Sequence, residues 1–146
     1  MAKMETSIVI NRSLEEVFAF TTNFENQPKW QSRLLEVTKT SEGPIGVGAR
    51  WRFVAKFLGQ RIEFEQECTG YEPNRVYAGK STSGPFPIEG RQTYEPVEGG
   101  TRLNVIGEVQ PGGFFKLAEP LVVSMLKRLT DADLANLKDL MEAGAL

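Results

Sequence analysis

The 146-residue sequence contains no histidine. That absence removes Ser-His and Cys-His nucleophilic systems, histidine-ligated metals and the commonest general base. Acid–base chemistry would have to come from Glu, Asp, Lys, Tyr or water. Cysteine is nearly absent too. Cys68 stands alone, so no internal disulfide and no cysteine-rich zinc site can form. No tightly held metal and no cofactor is expected. There is no basic surplus. Lys and Arg total 17 against 19 Asp and Glu, a net charge of −2, which argues against a nucleic-acid partner. No run of about 18 apolar residues exists, so no membrane span is expected. The opening MAKMETSIVI carries a charge where a secretory segment would be apolar. A cytoplasmic location is the expectation. Repeats, linkers and low-complexity stretches are missing as well, and one domain over 1–146 is expected.

What is there is ordinary soluble composition, with 40% hydrophobic and 25% charged residues, enough for a real core. The last stretch, 114–142, reads as one long helix of roughly 40 Å at ~1.5 Å per residue. Phe114, Leu117, Leu121, Met125 and later Leu134, Leu137, Leu140 and Met141 recur at helical spacing and are expected to form one broad apolar face. Pro120 lacks a donor, so the helix is expected to kink there or to restart with Pro120 at its first position. A single long helix following many strands must lie across a sheet to bury its stripe.

Upstream, residues 3–10 read as a strand. Ser13 and Glu16 then form a capping-box signature, starting a helix with Leu14, Val17, Phe18 and Thr21 on one face. Asn23 can cap a second short turn over 24–27, ended by Pro28 and followed at once by Trp30. Strands are expected over 34–41, 50–58, 61–70, 76–83, 86–96 and 101–110, separated by Gly, Pro and Asn turns. Residues 61–70 alternate most strictly: Ile62, Phe64, Gln66 and Cys68 against Glu63, Glu65 and Glu67. That pattern gives one dry face and one wet face, as in an antiparallel sheet.

The segments IVINRSLEEVFAFTTNFENQPKW, TGYEPNRVYAG, TYEPVEGGTRLNVIGEVQPGG and DLANLKDLME, in this order, resemble the polyketide cyclase/dehydrase and lipid-transport family. That family sits within the START-like (SRPBCC) helix-grip superfamily. The resemblance spans nearly the whole chain. One departure is Ser13, where many members have a proline ahead of the first helix; the capping box offers another start. The resemblance implies an α+β helix-grip fold. In it a curved antiparallel sheet wraps a long C-terminal helix, with two short helices after the first strand. It also implies an internal cavity for a small hydrophobic ligand such as a lipid, a polyketide or another aromatic or polycyclic molecule. A cyclase or dehydratase acting in that cavity is the alternative, and an interaction module akin to chaperone activators is a second. Fold does not choose among them, and no family-wide catalytic motif carries over. Monomer and homodimer both stay open.

Candidate ligand-binding residues are Trp30, Trp51, Phe53, Phe64, Gln66, Phe86, Ile88, Gln92, Tyr94, Leu117, Leu121 and Met125. Trp30 reads either as a wall of the cavity or as a core tryptophan closing the short helix. The large apolar residues are core in any reading, and some must line a pocket if one exists. Gln66, Gln92 and Tyr94 are polar groups in the dry phase of their strands. They would bond either a ligand or each other and the backbone. Glu89 and Arg91 fall in the opposite phase, as a surface pair. Lys80 shares a phase with Val76 and Ala78 and reads as a surface lysine or as one reaching a pocket end. Gly107 interrupts its strand's apolar series, making room for the helix or for ligand. A cavity of ~300–1,000 Å³ is expected.

Overall fold

The computed structural model describes residues 2–57, 59–84, 87–109 and 119–144. Strand β1 (Ala2–Ile10) leads to helix α1 (Leu14–Thr22) and a 3-10 helix, Phe24–Lys29. Six strands follow: β2 (Leu34–Lys39), β3 (Arg50–Phe57), β4 (Gln60–Glu72), β5 (Val76–Ser83), β6 (Ile88–Val97) and β7 (Gly100–Val109). Helix α2 (Glu119–Glu142) closes the chain. The seven strands form one antiparallel sheet in the order β1-β7-β6-β5-β4-β3-β2. The chain therefore walks outward from β2 by hairpins, and β1 returns to pair with the last strand. Register shifts in β4 at Glu65/Gln66 and Cys68/Gly70, and in β2 at Leu34/Glu36, mark bulges. Each bulge bends its strand and increases the local twist, which helps curl the sheet into a half-barrel.

Local chemistry starts and stops the helices as the sequence demands. The Ser13 hydroxyl accepts from the Glu16 amide at 3.2 Å and donates to the Glu16 carboxylate at 2.9 Å. This satisfies one of the four free amides at the start of α1. Pro28 lies inside the 3-10 helix rather than ending it. The Gln27 carbonyl accepts from the amides of Trp30 and Gln31, so a new turn begins at Pro28, where a missing donor costs nothing.

In the described residues α2 begins at Glu119, with Pro120 in its first turn. The expected helical residues 114–118 lie outside the described residues. The C-terminal half of α2 does the packing. Leu134, Leu137 and Met141 are buried with Ile10, Val17, Phe18 and Leu103 in one core cluster. The end of the helix is tied to β1: Lys138 Nζ donates to the Val9 carbonyl at 2.9 Å, and Arg12 Nε donates to the Met141 carbonyl at 2.8 Å. A cation on the last carbonyls is favourable for the helix dipole. A second core, around Phe24, Val37, Trp51, Phe53, Cys68 and Tyr77, joins the 3-10 helix to β2 through β5. The opposite face of β4 is wet, with Glu63 held by Arg52 of β3 at 2.6 Å. No helix among the described residues is long and apolar enough to cross a membrane.

Candidate functional site

Between the two cores the sheet carries too little side chain to fill its own concavity. In an antiparallel sheet, directly paired residues point to the same face. The register pairs Gly79 with Gly90 and Gly90 with Gly107. Three neighbouring strands thus lack a side chain along one row. The same face carries Phe53 opposite Phe64, and Gln92 between Tyr77 and Val105. The 3-10 helix and the chain just after it arch over this row, contributing Phe24, Gln27, Gln31 and Leu34.

A cavity of about 200 Å³ lies between, with Gly90 and Gly107 in its floor and mainly apolar walls. It is smaller than the sequence reading anticipates. The Gln66 side chain lies over Gly79, where a Cβ would come within 2.8 Å of its amide carbon. The Met4 methyl sits 3.4 Å from where a Cβ on Gly107 would be. Only Gly90 faces open space, with nothing within 4 Å of a Cβ built there. Phe53 and Phe64 stack with centroids 4.8 Å apart and form one wall.

The polar groups of this wall are neutral. Tyr77 donates to the Gln66 carbonyl at 3.2 Å, and Tyr94 donates to the Gln92 carbonyl at 2.8 Å. The Tyr94 oxygen also lies 2.6 Å from the Thr21 hydroxyl. Burial pushes the Tyr94 hydroxyl above its ordinary range, partly offset by the bond from Thr21. Burial likewise pushes Tyr77 up, reinforced by Cys68 and opposed by the Trp51 indole. Cys68 is itself pushed up by burial, so it carries no thiolate to act as a nucleophile. The charged residues beside the cavity are Glu89 and Arg91, which flank Gly90 on β6 and are exposed on the opposite face of the sheet. Among the lining residues no buried acid or base is positioned for proton transfer near neutral pH. The arrangement can desolvate a small molecule, press it between aromatic walls and offer it amide hydrogen bonds.

Of the residues expected at a site, Phe53, Phe64, Gln66, Ile88 and Gln92 border this cavity. Trp51 is buried in the core beside it, behind Phe24. Tyr94 is buried behind Gln92, its hydroxyl occupied by Gln92 and Thr21. Trp30 is buried among Leu134 and Leu137, and its indole N–H has no partner among the described residues. Met125 is half-buried on α2. Leu121 is 75% exposed and borders no part of this cavity. At ~100° per residue it lies roughly 140–160° around the helix from Leu134, Leu137 and Met141. The two halves of the apolar stripe therefore do not share one face. Phe86 and Leu117 lie outside the described residues.

Gln27, Gln31, Tyr77 and Gly90 also belong to the cavity. Lys80 is exposed, the surface lysine of its two readings, and in β5 it is Tyr77 and Gly79 that face inward. Pairing of Cys68 with Gly79 across the β4 bulge sets that phase.

A family model described as "Polyketide cyclase / dehydrase and lipid transport" matches residues 1–142. No curated protein matches in sequence. Among solved structures, a protein from Thermus thermophilus is similar at TM-score 0.84 and 18% identity, covering 99% of both chains. The Zhui aromatase/cyclase from Streptomyces sp. R1128 is similar at TM-score 0.79 and 14% identity, covering 99% of this chain and 95% of that one. A START superfamily protein from Mycobacterium smegmatis gives TM-score 0.71 at 19% identity, covering 97% and 94%. At these identities the likeness is one of fold.

Proposed function

Because the chain belongs to the polyketide cyclase/dehydrase and lipid transport family, we propose that it binds a small hydrophobic ligand between the sheet and the helices. The observation that carries this reading is the unfilled space over Gly90, walled by Phe24, Phe53 and Phe64. Sheets bury their concave faces with side chains, and a glycine row there sacrifices packing. A space used by a ligand explains the sacrifice. The ligand contacts proposed are Phe53, Phe64, Gln66, Ile88 and Gln92, joined by Phe24, Gln27 and Tyr77. Binding without proton transfer is the simpler reading, because the charges near the cavity, Glu89 and Arg91, lie in the outward phase of β6 and are exposed.

Native mass spectrometry of protein purified under gentle conditions tests this reading. The expected result is a mass increment from one organic molecule, released on denaturation and displaced by an added hydrophobic probe. Protein that carries no ligand and fails to bind any apolar probe would contradict it.

A further inference from the structure

We propose that the cavity selects an uncharged, fused-ring ligand bearing a carbonyl group, whose oxygen accepts a hydrogen bond from the side-chain amide of Gln92. The inference rests on reading the cavity as a ligand site and adds which chemistry it accepts.

A glutamine amide can present either its oxygen or its N–H groups to a ligand. Here a tyrosine makes the choice. Gln92 lines the cavity, and its carbonyl accepts from Tyr94 at 2.8 Å. Tyr94 belongs to the core cluster behind Gln92 and not to the lining. The oxygen is therefore the inner end of the amide, and the nitrogen is the end toward the cavity. The Thr21 hydroxyl lies 2.6 Å from the Tyr94 oxygen, so Thr21, Tyr94 and Gln92 form a chain of hydrogen bonds. Bonds in such a chain polarise one another, which strengthens the Gln92 N–H as a donor. Gln66 repeats the arrangement on β4. Its carbonyl accepts from Tyr77 at 3.2 Å, and a Cβ built on Gly79 would meet the same oxygen at 2.8 Å. The nitrogen, at the opposite corner of the amide, points away from Gly79. Among the described residues neither nitrogen has a partner, and neither is closed to solvent.

The two amides flank the open floor. Gly79, beneath Gln66, pairs with Gly90, and Gln92 follows Gly90 by two residues on the same face. A ligand over Gly90 therefore meets two amides whose oxygens are already turned aside. A ketone oxygen accepts from such a donor without reorganising the wall. A phenol oxygen is a weaker acceptor, and its hydrogen would meet N–H groups. A carboxylate also accepts, but Arg91 lies in the outward phase of β6 and is exposed, so the buried charge would stay uncompensated. The Phe53–Phe64 stack at the side suits a fused ring. The volume of about 200 Å³ equals about seven waters at ~30 Å³ each, room for a one- or two-ring compound.

The experiment is a calorimetric titration of the wild-type chain and Gln92→Glu with tetralin, tetralone, naphthol and naphthoate. These share a two-ring body and differ in the polar group presented. On wild type, tetralone is expected to bind about fivefold tighter than tetralin, the ratio that one hydrogen bond of ~1 kcal/mol produces. Naphthol should fall between the two, and naphthoate should bind weakest. Gln92→Glu keeps the shape and the acceptor for Tyr94 but replaces the N–H groups with an oxygen. In this variant tetralone should lose its advantage over tetralin, and naphthol should become the tightest of the four. Equal binding of tetralone and tetralin to wild type overturns the inference, and so does a tetralone advantage that survives in Gln92→Glu. Preferred binding of naphthol or naphthoate by wild type also overturns it. The wild-type comparison decides the matter even if Gln92→Glu fails to fold. Failure of all four probes on wild type would instead remove the cavity reading itself.

Discussion

Replacing Gly90 with valine should raise stability and abolish binding together. Gly90 has no positive φ, and nothing lies within 4 Å of a Cβ built on it. A β-branched side chain suits its place in the middle of β6. Two favourable terms add. Losing glycine's freedom in the unfolded chain contributes about 0.4–1 kcal/mol. Filling about a third of the 200 Å³ cavity, at ~24 cal/mol per Å³, would add about 1.6 kcal/mol were the cavity dry. The cavity is partly open, so the second term is smaller, and a net gain of about 1–2 kcal/mol is expected. That corresponds to a Tm rise of several degrees for a chain of this length. The new methyl groups would occupy the space where an aromatic ring must lie, so naphthol affinity should fall by at least about tenfold, the scale of an overpacking clash. The assays are thermal denaturation followed by circular dichroism and the calorimetric titration, both on Gly90→Val. Lowered stability combined with unchanged naphthol affinity would refute the reasoning, because it would mean the space over Gly90 is neither empty nor used.

Other consequences follow from buried groups. Tyr77 and Tyr94 are held protonated by burial, with folded pKa values above the unfolded value of about 10. The stabilising term is fully present below that value and is lost as pH rises through the folded values. Alkaline difference spectroscopy should therefore show these two phenols ionising only as the fold is lost; phenolate signal from both in intact protein would contradict this. Asp133 on α2 is buried, and its Oδ2 lies 3.2 Å from Arg33 without the alignment of a hydrogen bond. Burial raises its pKa more than Arg33 lowers it. The folded form then binds the proton more tightly than the unfolded form, so stability falls as pH rises above the unfolded aspartate value of about 3.9. Asp133→Asn should raise Tm at pH 7, and that gain should shrink as pH drops through the acid range. A lower Tm for the variant at pH 7 would mean that the Arg33 pair outweighs the burial. Tyr94→Phe removes the donor to the half-buried Gln92 carbonyl and should cost about 0.5–1.5 kcal/mol in urea denaturation; a neutral result would mean that water replaces the tyrosine on Gln92.

The strands were legible because their periodicity is strict. Ile62, Phe64, Gln66 and Cys68 against Glu63, Glu65 and Glu67 fix both the type of element and its dry face, and the structure follows them. Element ends moved by a residue or two, as hydrogen bonding at frayed ends allows. Pro28 misled because a proline that ends an α-helix can begin a 3-10 turn. The site was legible only where one strand sufficed. Gln66 and Gln92 stood out as polar residues in apolar phase, and both border the cavity. Gly107 was legible as a gap in its strand's apolar series, but the glycine row was not. Gly79, Gly90 and Gly107 are far apart in sequence, and only the register across β5, β6 and β7 aligns them. The inward phase of Tyr77 depends on a bulge in the neighbouring strand. Gln27 looks like any polar residue on a short helix until the sheet beneath it is in place.

The most direct test of the account is amide NMR of nitrogen-labelled wild-type protein titrated with naphthol. Saturable shifts are predicted for the backbone amides of Gly90 and Gly107 and for the side-chain amides of Gln27, Gln66 and Gln92, while residues on the outer face such as Lys80 and Glu63 stay still. Shifts confined to exposed positions such as Leu121, with Gly90 and Gln27 unmoved, would contradict a ligand site over the glycine row.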